Sequence, residues 1–220
     1  FSGKGRGGKV RHMSDYPRPS LTADVVLLRY QNGWLEVLLI QRKRAPFAEC
    51  WALPGGFVDA GESPREGAAR ELAEETKVDG VPLYEVGVFG TPGRDPRGWV
   101  VSTAFLGLAS SACRAEAGDD AGAVAWHRIA ALPDLAFDHA QIIEAAMAHL
   151  GRMTAVETTP LRLLDAPFRT AQARHLYSQI LGIKIRPSSF KAWLRRRAAV
   201  VRVGPARFVA AESLRRDWIR

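Results

Sequence analysis

The chain has 220 residues, of which 47% are hydrophobic and 25% charged, proportions that are ordinary for a folded globular protein. No apolar run approaches the roughly 18 residues that a membrane span requires, and we expect no secretory leader. The two cysteines, Cys50 and Cys113, are too few for a disulfide scaffold or a zinc cluster. We therefore expect a cytoplasmic protein without membrane contact.

Charge is distributed unevenly along the chain. Residues 151–220 hold 15 Lys and Arg against 4 Asp and Glu, a net charge of +11, whereas the preceding 150 residues carry a net charge of −3. This asymmetry favours a basic module that binds a polyanion, with an Arg-rich solvated surface as the alternative.

The N-terminal part of the chain contains a predicted β-hairpin. Residues 1–12 are rich in Gly and basic residues and precede a methionine, so we interpret them as a tag remnant, with a native basic arm as the alternative. Two apolar runs follow at 22–30 and 35–41, and Asn32-Gly33 lies between them. This dipeptide is typical of a two-residue hairpin turn.

A helix with a capped start is predicted after the hairpin. Ser63 has the position of an N-cap, Pro64 fits the first helical residue, and Glu66 can reach back to close a capping box. The pattern predicts a helix over about residues 64–77. The elements predicted after it are strands at 82–90, 99–108 and 126–129, and a helix at 140–150.

A second module is predicted towards the C-terminus. Residues 151–160 are polar and lack periodicity, so we place a linker there, between a domain of residues 13–150 and a domain of residues 161–220. The elements predicted in the second domain are a helix at 170–181, a helix that begins after Pro187-Ser188-Ser189 and runs to about Arg197, and short strands at 199–203 and 206–210. Helix, helix and β-hairpin in this order are typical of a winged helix-turn-helix domain.

Three carboxylates share one face of the predicted helix 64–77. Glu71, Glu74 and Glu75 follow the spacing i, i+3 and i+4, and Arg70 lies four residues before Glu74. Clustered carboxylates repel each other unless a cation lies between them, and their oxygens suit Mg²⁺ or Mn²⁺. Taken alone, the pattern also fits a solvated acidic helix face with an ion pair.

The residues around this helix follow a longer motif. Gly56 is followed after five residues by Glu62, and after seven more by Arg70-Glu71-Leu72-Ala73-Glu74-Glu75. This spacing resembles the Nudix box, and the preceding run 51–58 resembles the segment before the Nudix helix. The resemblance implies an α+β fold, an α/β/α sandwich with a mixed sheet, and a metal-dependent displacement at phosphorus.

The resemblance also implies roles for single residues. Glu74 and Glu75 are the expected principal metal ligands, Glu71 a further ligand or base, and Arg70 the group that orients the carboxylates. The Gly56 carbonyl completes the metal shell. Mg²⁺, or Mn²⁺, would activate water and clamp the phosphate oxygens.

One position of the motif departs from the family pattern. The family usually has Gly where this chain has Lys77, so we expect the helix to continue towards Gly80. Asp119 and Asp120 are candidates for an additional base, with an Asp-rich turn as the favoured alternative.

Residues 21–150 resemble both the ADP-ribose pyrophosphatases and the Nudix-related transcriptional regulators. Shared features include the run 135–139 and the arginines Arg42, Arg94 and Arg97, which could form bidentate contacts with phosphates. The alternative is that Arg94-Asp95-Pro96-Arg97 is a rigid turn closed by its own ion pairs.

The C-terminal residues resemble the winged-helix domain of the Nudix-related regulators of NAD metabolism. The resemblance lies in Phe168-Arg-Thr, Tyr177, Gly182 and Ser189-Phe190-Lys191. Such a domain places its second helix in the DNA major groove and its wing over the backbone. The expected DNA-binding residues are Lys191, Arg195, Arg196, Arg197, Arg202 and Arg207.

Two hypotheses follow for the function. The first is a Mg²⁺-dependent hydrolase of ADP-ribose or a related nucleoside diphosphate derivative, fused to a basic winged-helix domain. The second is an ADP-ribose-sensing transcriptional regulator of NAD metabolism with little or no hydrolase activity. Double-stranded DNA is an expected partner in both cases. The resemblance implies a homodimer, and palindromic operators would need one.

Overall fold

A mixed β-sheet forms the centre of the molecule. The computed structural model describes residues 16–118, 121–196, 200–204 and 207–210. Within these residues the sheet has seven strands: β1 (Ser20–Gln31), β2 (Trp34–Arg42), β3 (Trp51–Ala52), β4 (Gly55–Phe57), β5 (Leu83–Phe89), β6 (Val100–Leu108) and β7 (Ala121–Arg128). The predicted hairpin turn is confirmed, because Asn32 and Gly33 both have positive φ angles, of 53° and 84°.

Strand β1 organises the sheet. It pairs antiparallel with β2 on one side and parallel with β6 on the other, and its first residues also pair antiparallel with β4. Strand β5 adds to β6, while β3 and β7 add to β2, all antiparallel. The single parallel pair makes the sheet mixed, as expected.

The two faces of the sheet are covered by different helices. Val25 and Leu27 of β1 pack with α1 (Pro64–Thr76), whereas their neighbours Val26 and Leu28 pack with α2 (His139–Val156). This alternation is the consequence of side chains pointing to opposite faces along a strand. The predicted α+β fold with helices on both faces of a mixed sheet is therefore confirmed.

Strand β7 is longer than predicted. The expectation was a short strand at 126–129, but pairing with β2 extends over Ala121–Arg128. The added residues are mostly Ala and Gly, whose small side chains give little apolar alternation for a sequence pattern to detect.

The linker expected at residues 151–160 is largely helical. Helix α2 continues to Val156, and a short 3₁₀ helix covers Thr159–Leu163. Met153 is buried and the Thr154 hydroxyl donates to the Leu150 carbonyl at 2.7 Å, so this polar side chain is satisfied within the helix. None of the helices in the described part of the chain is both long enough and apolar enough to cross a bilayer.

The C-terminal elements occur in the predicted order. They are β8 (Phe168–Arg169), α3 (Thr170–Leu181), α4 (Pro187–Arg195), β9 (Val200–Gly204) and β10 (Arg207–Ala210). The three short strands form a separate sheet in the order β8-β10-β9. Helix α3 ends where Gly182 adopts the left-handed conformation that glycine favours, with a φ angle of 64°.

Helix α3 contacts the β1–β2 hairpin. The Gln179 side chain accepts from the Leu35 amide at 3.0 Å and donates to the Gly33 carbonyl. The Tyr30 hydroxyl and the His175 Nδ1 atom are 2.6 Å apart. One continuous apolar core joins residues of β1, β2 and α2 to residues of α3, α4 and β10.

Candidate functional site

Helix α1 carries the predicted acidic motif and begins as expected. Its N-cap, Ser63, accepts from the Glu66 amide at 3.3 Å, and the Glu66 carboxylate accepts from the Ser63 amide at 2.7 Å. Pro64 occupies the first turn. The complete capping box fixes where the helix starts and hence the direction of its acidic face.

Helix α1 ends at Thr76 and does not continue to Gly80. Lys77 adopts the left-handed conformation, with φ 58° and ψ 20°, and its amide donates to the Ala73 carbonyl at 2.9 Å. The expected extension of the helix is therefore wrong. Lys77 takes the conformation that glycine takes in the family pattern, at a cost of about 1–2 kcal/mol.

The segment after Cys113 satisfies the last carbonyls of this helix. The Glu116 amide donates to the Thr76 carbonyl at 2.9 Å, and the Gly118 amide donates to the Glu75 carbonyl at 2.9 Å. These bonds serve groups that a helix end leaves unpaired. The next two residues, the candidate bases Asp119 and Asp120, lie outside the described residues.

Arg70 is the centre of the ionic network on α1. Its guanidinium bonds the Glu62 carboxylate at 2.8 and 3.2 Å, Glu71 at 2.9 Å and Glu74 at 3.2 Å. It also donates to the Phe57 carbonyl at 3.0 Å. These bonds, those to Glu62 above all, raise the pKa of Arg70 further above its ordinary value. Arg70 therefore contacts three carboxylates of this region, and its orienting role stays a prediction.

Glu75 and Glu71 are the more buried members of the acidic group. Burial raises the pKa of Glu75 to about 8, although the Gly55 amide donates to its carboxylate at 2.9 Å, and the charge of Glu71 adds to the increase. Burial also raises the pKa of Glu71. A Cβ atom at Gly56 would lie 2.3 Å from the Glu71 Oε1 atom, so any other residue there would have to displace that carboxylate. Glu74 is more exposed, at 60% of its side chain.

The donor chemistry of this group fits a hard divalent cation. Two carboxylates held in a partly buried position repel each other and both resist ionisation, a situation that Mg²⁺ or Mn²⁺ relieves. Among the described residues, however, no three His, Cys, Asp or Glu side chains converge on one point. Arg70 holds Glu71 and Glu74 here, so the ion pair that the sequence left open as an alternative is present on this helix face.

An open cleft lies beside the acidic group. It has about 360 Å³ of empty space, part of it open to solvent, and Gly55 and Gly56 form one wall. Thr22 and Asp24 of β1 line it from the sheet, and Phe137 lines it from the segment before α2. The cleft is therefore adjacent to the carboxylates, which Gly55 and Gly56 contact.

Of the three predicted phosphate-binding arginines, Arg94 is the most strongly engaged within the protein. Its side chain is 4% exposed and forms two bonds with Asp138, of 2.8 and 2.6 Å. The Asp24 carboxylate is 3.7 Å away. The alternative of a turn closed by local ion pairs holds for Arg97, which pairs with Asp95, but not for Arg94, whose partner lies 44 residues further along the chain.

Arg42 and Arg97 approach the cleft from two sides. Arg42 donates to the Pro46 carbonyl at 2.9 Å and lies 4.8 Å from the centre of the Phe137 ring. Arg97 bonds Asp95 at 2.6 Å and lies 5.5 Å from the same ring. Burial, followed by the charge of Arg97, lowers the pKa of Arg42. Two like charges facing one polar cleft favour an anionic ligand.

Sequence reasoning missed the polar residues on the floor of the cleft. Asp24 accepts from the Ser102 hydroxyl and lies 3.7 Å from the His139 Nε2 atom. The His139 Nδ1 atom accepts from the Leu53 amide at 2.9 Å, and burial lowers the pKa of this imidazole. A polar residue at alternate positions of an otherwise apolar strand, as at Thr22 and Asp24, is the pattern that would have found them.

The predicted DNA-binding residues lie on the C-terminal module. Lys191, Arg195 and Arg196 are exposed along and just after α4, while Phe190 and Leu194 of the same helix are buried. Arg202 is exposed on β9, and Arg207 lies on β10. Arg197 is outside the described residues.

Comparison with known proteins identifies the family. The NUDIX domain pattern matches residues 18–146. The chain is 34% identical over 182 residues to the ADPR responsive transcriptional repressor NtrR of Acinetobacter baylyi, covering 81% of this chain and 73% of that protein. It is 40% identical over 132 residues to an ADP-ribose pyrophosphatase of Methanocaldococcus jannaschii, covering 60% and 75%.

The fold comparison extends into the C-terminal module. The crystal structure of Shewanella oneidensis NrtR complexed with a 27mer DNA matches at a TM-score of 0.72 and 32% identity, covering 86% of this chain and 92% of that one. Three findings lead to one conclusion. The acidic helix is capped, the mixed sheet lies between two helices, and the NUDIX domain pattern matches more than half of the sequence. The chain belongs to the Nudix family.

Proposed function

We propose that the protein hydrolyses ADP-ribose or a closely related nucleoside diphosphate derivative with Mg²⁺ or Mn²⁺. The observation that carries this proposal is the pair of partly buried carboxylates, Glu71 and Glu75, beside a cleft that two arginines approach. The similarity to an ADP-ribose pyrophosphatase supports the substrate class.

The acidic group supplies the metal ligands in this proposal. Glu71, Glu74, Glu75 and the Gly56 carbonyl would hold the cation, which would supply an activated water and positive charge for the phosphate oxygens. The Arg70 guanidinium keeps Glu71 and Glu74 in place through bonds of 2.9 and 3.2 Å.

The arginines divide into two groups. Arg42 is partly exposed and Arg97 is exposed at the cleft. We assign both to the phosphates of the ligand. Arg94 is buried in a two-bond ion pair with Asp138. It therefore supports the cleft wall and holds the segment before α2. It contributes positive charge to the cleft while its ion pair with Asp138 stays formed.

A turnover assay tests the hydrolase proposal. The full chain is incubated with ADP-ribose and Mg²⁺, and we expect AMP and ribose 5-phosphate as products. The double variant Glu74→Gln, Glu75→Gln should lose at least 100-fold in kcat/KM, because the metal ligands are lost. No product from the wild type at high enzyme concentration, with Mg²⁺ or Mn²⁺, would contradict the proposal.

We also propose that the C-terminal module is a winged helix that binds double-stranded DNA. The order of α3, α4 and the β9–β10 hairpin supports this, as does the net charge of +11 on residues 151–220. Exposed Lys191 and Arg195 on α4 would face the major groove. The fold match to a regulator solved with DNA agrees with this assignment.

A second candidate function is an ADP-ribose-responsive transcriptional regulator with little hydrolysis, which the similarity to the repressor NtrR favours. DNA binding by the full chain distinguishes it, measured on duplex DNA at two salt concentrations with and without ADP-ribose. Salt-dependent binding that changes with ADP-ribose, together with slow turnover, would select the regulator. Binding that is absent or independent of salt would exclude it.

A homodimer is the proposed assembly, because palindromic DNA sites require two copies. Two exposed apolar side chains support this. Val88 on the edge strand β5 is 65% exposed, and Trp99, just before β6, is 53% exposed. Light scattering on the eluted protein should give twice the chain mass. A monomer at micromolar concentration would contradict the proposal.

A further inference from the structure

Thr22 holds a hydroxyl that is buried without a hydrogen-bond partner. Thr22 is 6% exposed and lines the cleft, and its Oγ1 atom has no partner among the residues that the structure describes. Buried hydroxyls are usually hydrogen-bonded, because an unpaired one loses its bonds to water and gains none in return. A ligand group would satisfy this atom.

The neighbouring polar groups on the same strand face are satisfied. Asp24, two residues along β1 and on the same face, accepts from the Ser102 hydroxyl. Ser102 is also the residue of β6 that lies opposite Thr22. The unpaired state of Thr22 is therefore an exception within an otherwise bonded cleft floor.

The position of Thr22 indicates which part of a ligand it meets. In the pairing of β1 with β4, Thr22 lies opposite Phe57, and Ala23 lies opposite Gly56, which packs against Glu71. Because side chains alternate along a strand, Ala23 faces α1 and its carboxylates, while Thr22 shares the face of Asp24 and lines the cleft. Arg42, Arg97 and the carboxylates of Asp24 and Asp95 form the nearby walls together with the Phe137 ring, and the charged part of this surface suits a phosphorylated sugar.

We propose that Thr22 is a ligand-binding residue whose hydroxyl hydrogen-bonds to a ribose hydroxyl of the bound diphosphate. This inference rests on the proposed function and adds a specificity-determining contact to the same site. A sugar hydroxyl, which both donates and accepts, is the matching chemistry for a threonine hydroxyl. ADP-ribose carries such a sugar at each end, and the test below shows which of the two sugars contacts Thr22.

The proposal predicts that removing the Thr22 hydroxyl stabilises the free protein but weakens ligand binding. Thr22→Val keeps the shape of the side chain and removes the hydroxyl. In the free protein this relieves an unpaired buried group, so the melting temperature should rise. With ligand present the same change removes a hydrogen bond, so the dissociation constant of ADP-ribose should increase about tenfold, equivalent to about 1.4 kcal/mol.

The experiment compares three variants with the wild type by thermal melting and by calorimetric titration without divalent ions, where turnover does not interfere. Thr22→Ser retains the hydroxyl and should bind ADP-ribose within about threefold of the wild type. Thr154→Val is the matched control, because the Thr154 hydroxyl already donates to Leu150 at 2.7 Å. It should lower the melting temperature and leave the dissociation constant unchanged.

Titration with AMP and with ribose 5-phosphate locates the contact. The fragment whose affinity falls in Thr22→Val carries the sugar that meets the hydroxyl, and an unchanged affinity for both fragments would overturn the proposal. Equal ADP-ribose affinity in the wild type and Thr22→Val, or a lower melting temperature in free Thr22→Val, would also overturn it. If the wild type binds ADP-ribose neither with nor without Mg²⁺, the proposed function itself fails.

Discussion

The backbone of Lys77 is under strain at the end of the acidic helix. A residue with a Cβ atom costs about 1–2 kcal/mol in the left-handed conformation, and Lys77 adopts it with φ 58°. Lys77→Gly should therefore stabilise the protein by about 1 kcal/mol in chemical denaturation, after the entropy of glycine in the unfolded chain is included. Lys77→Ala keeps the strain and should give no gain. Equal stability of the two variants would show that the conformation is not strained.

Glu75 should make stability depend on pH. Its pKa is about 8 in the folded protein against an ordinary value of 4.5. At pH values between these two, the folded protein keeps a proton on Glu75 that the unfolded chain has lost. The stabilising contribution is complete below pH 4.5 and is lost as the pH rises towards 8. In metal-free protein, Glu75→Gln should remove this loss and be more stable than the wild type at pH 8 by on the order of a few kcal/mol.

Denaturant unfolding in EDTA from pH 4.5 to pH 8 measures this effect. The stability difference between wild type and Glu75→Gln should grow steadily across that range. A difference that is independent of pH would assign the titration to another group.

At the scale of elements, the approach of β4 to α1 sets the geometry of the acidic group. A Cβ atom at Gly56 would lie 2.3 Å from Glu71 Oε1, so Gly56→Ala must displace that carboxylate. Displacements of about 1 Å at catalytic groups cost about 100-fold, and we expect a loss of that size in kcat/KM with the fold retained.

Gly151→Ala is the matched control for this substitution. Gly151 lies in α2 and a Cβ atom there would meet nothing within 4 Å. The change should leave turnover unaltered and stabilise the helix by about 0.5–1 kcal/mol. Full activity of Gly56→Ala would show that Glu71 is free to move and is not a fixed ligand.

The elements that sequence could predict are those with local causes. The start of α1 follows from Ser63, Pro64 and Glu66, which contact each other within one turn, and the hairpin follows from Asn32-Gly33. The acidic residues follow from their spacing on one helix. These features required no knowledge of the rest of the fold.

The elements that sequence missed have distant causes. The partner of Arg94 is Asp138, and the partner of Asp24 is Ser102, each supplied by a different element of the fold. The extension of α2 through 151–156 depends on burial against the C-terminal core, to which Met153 belongs. No local pattern contains this information, because the contacts exist only after the strands and helices have packed.

At the scale of the whole molecule, the basic C-terminal module should give DNA binding a strong salt dependence. Each phosphate contact contributes about 0.9 to the slope of log K against log salt, so the full-chain variant Lys191→Ala, Arg195→Ala should reduce the slope by about 2. Fluorescence anisotropy with labelled duplex DNA measures it. Arg114→Ala changes an exposed charge in the Nudix part and should leave the slope unchanged. An unaltered slope in the double variant would place the DNA elsewhere.

The apolar core that runs from the central sheet into α3, α4 and β10 determines how the chain unfolds. Phe168, Leu176 and Phe190 are buried in the same cluster as Val26 and Leu150, so neither half keeps its interior when the other is removed. A scanning calorimeter should record a single endotherm for the intact chain. Proteins expressed from gene fragments that stop or start near residue 160 should aggregate, since each would present half of a shared interior to water.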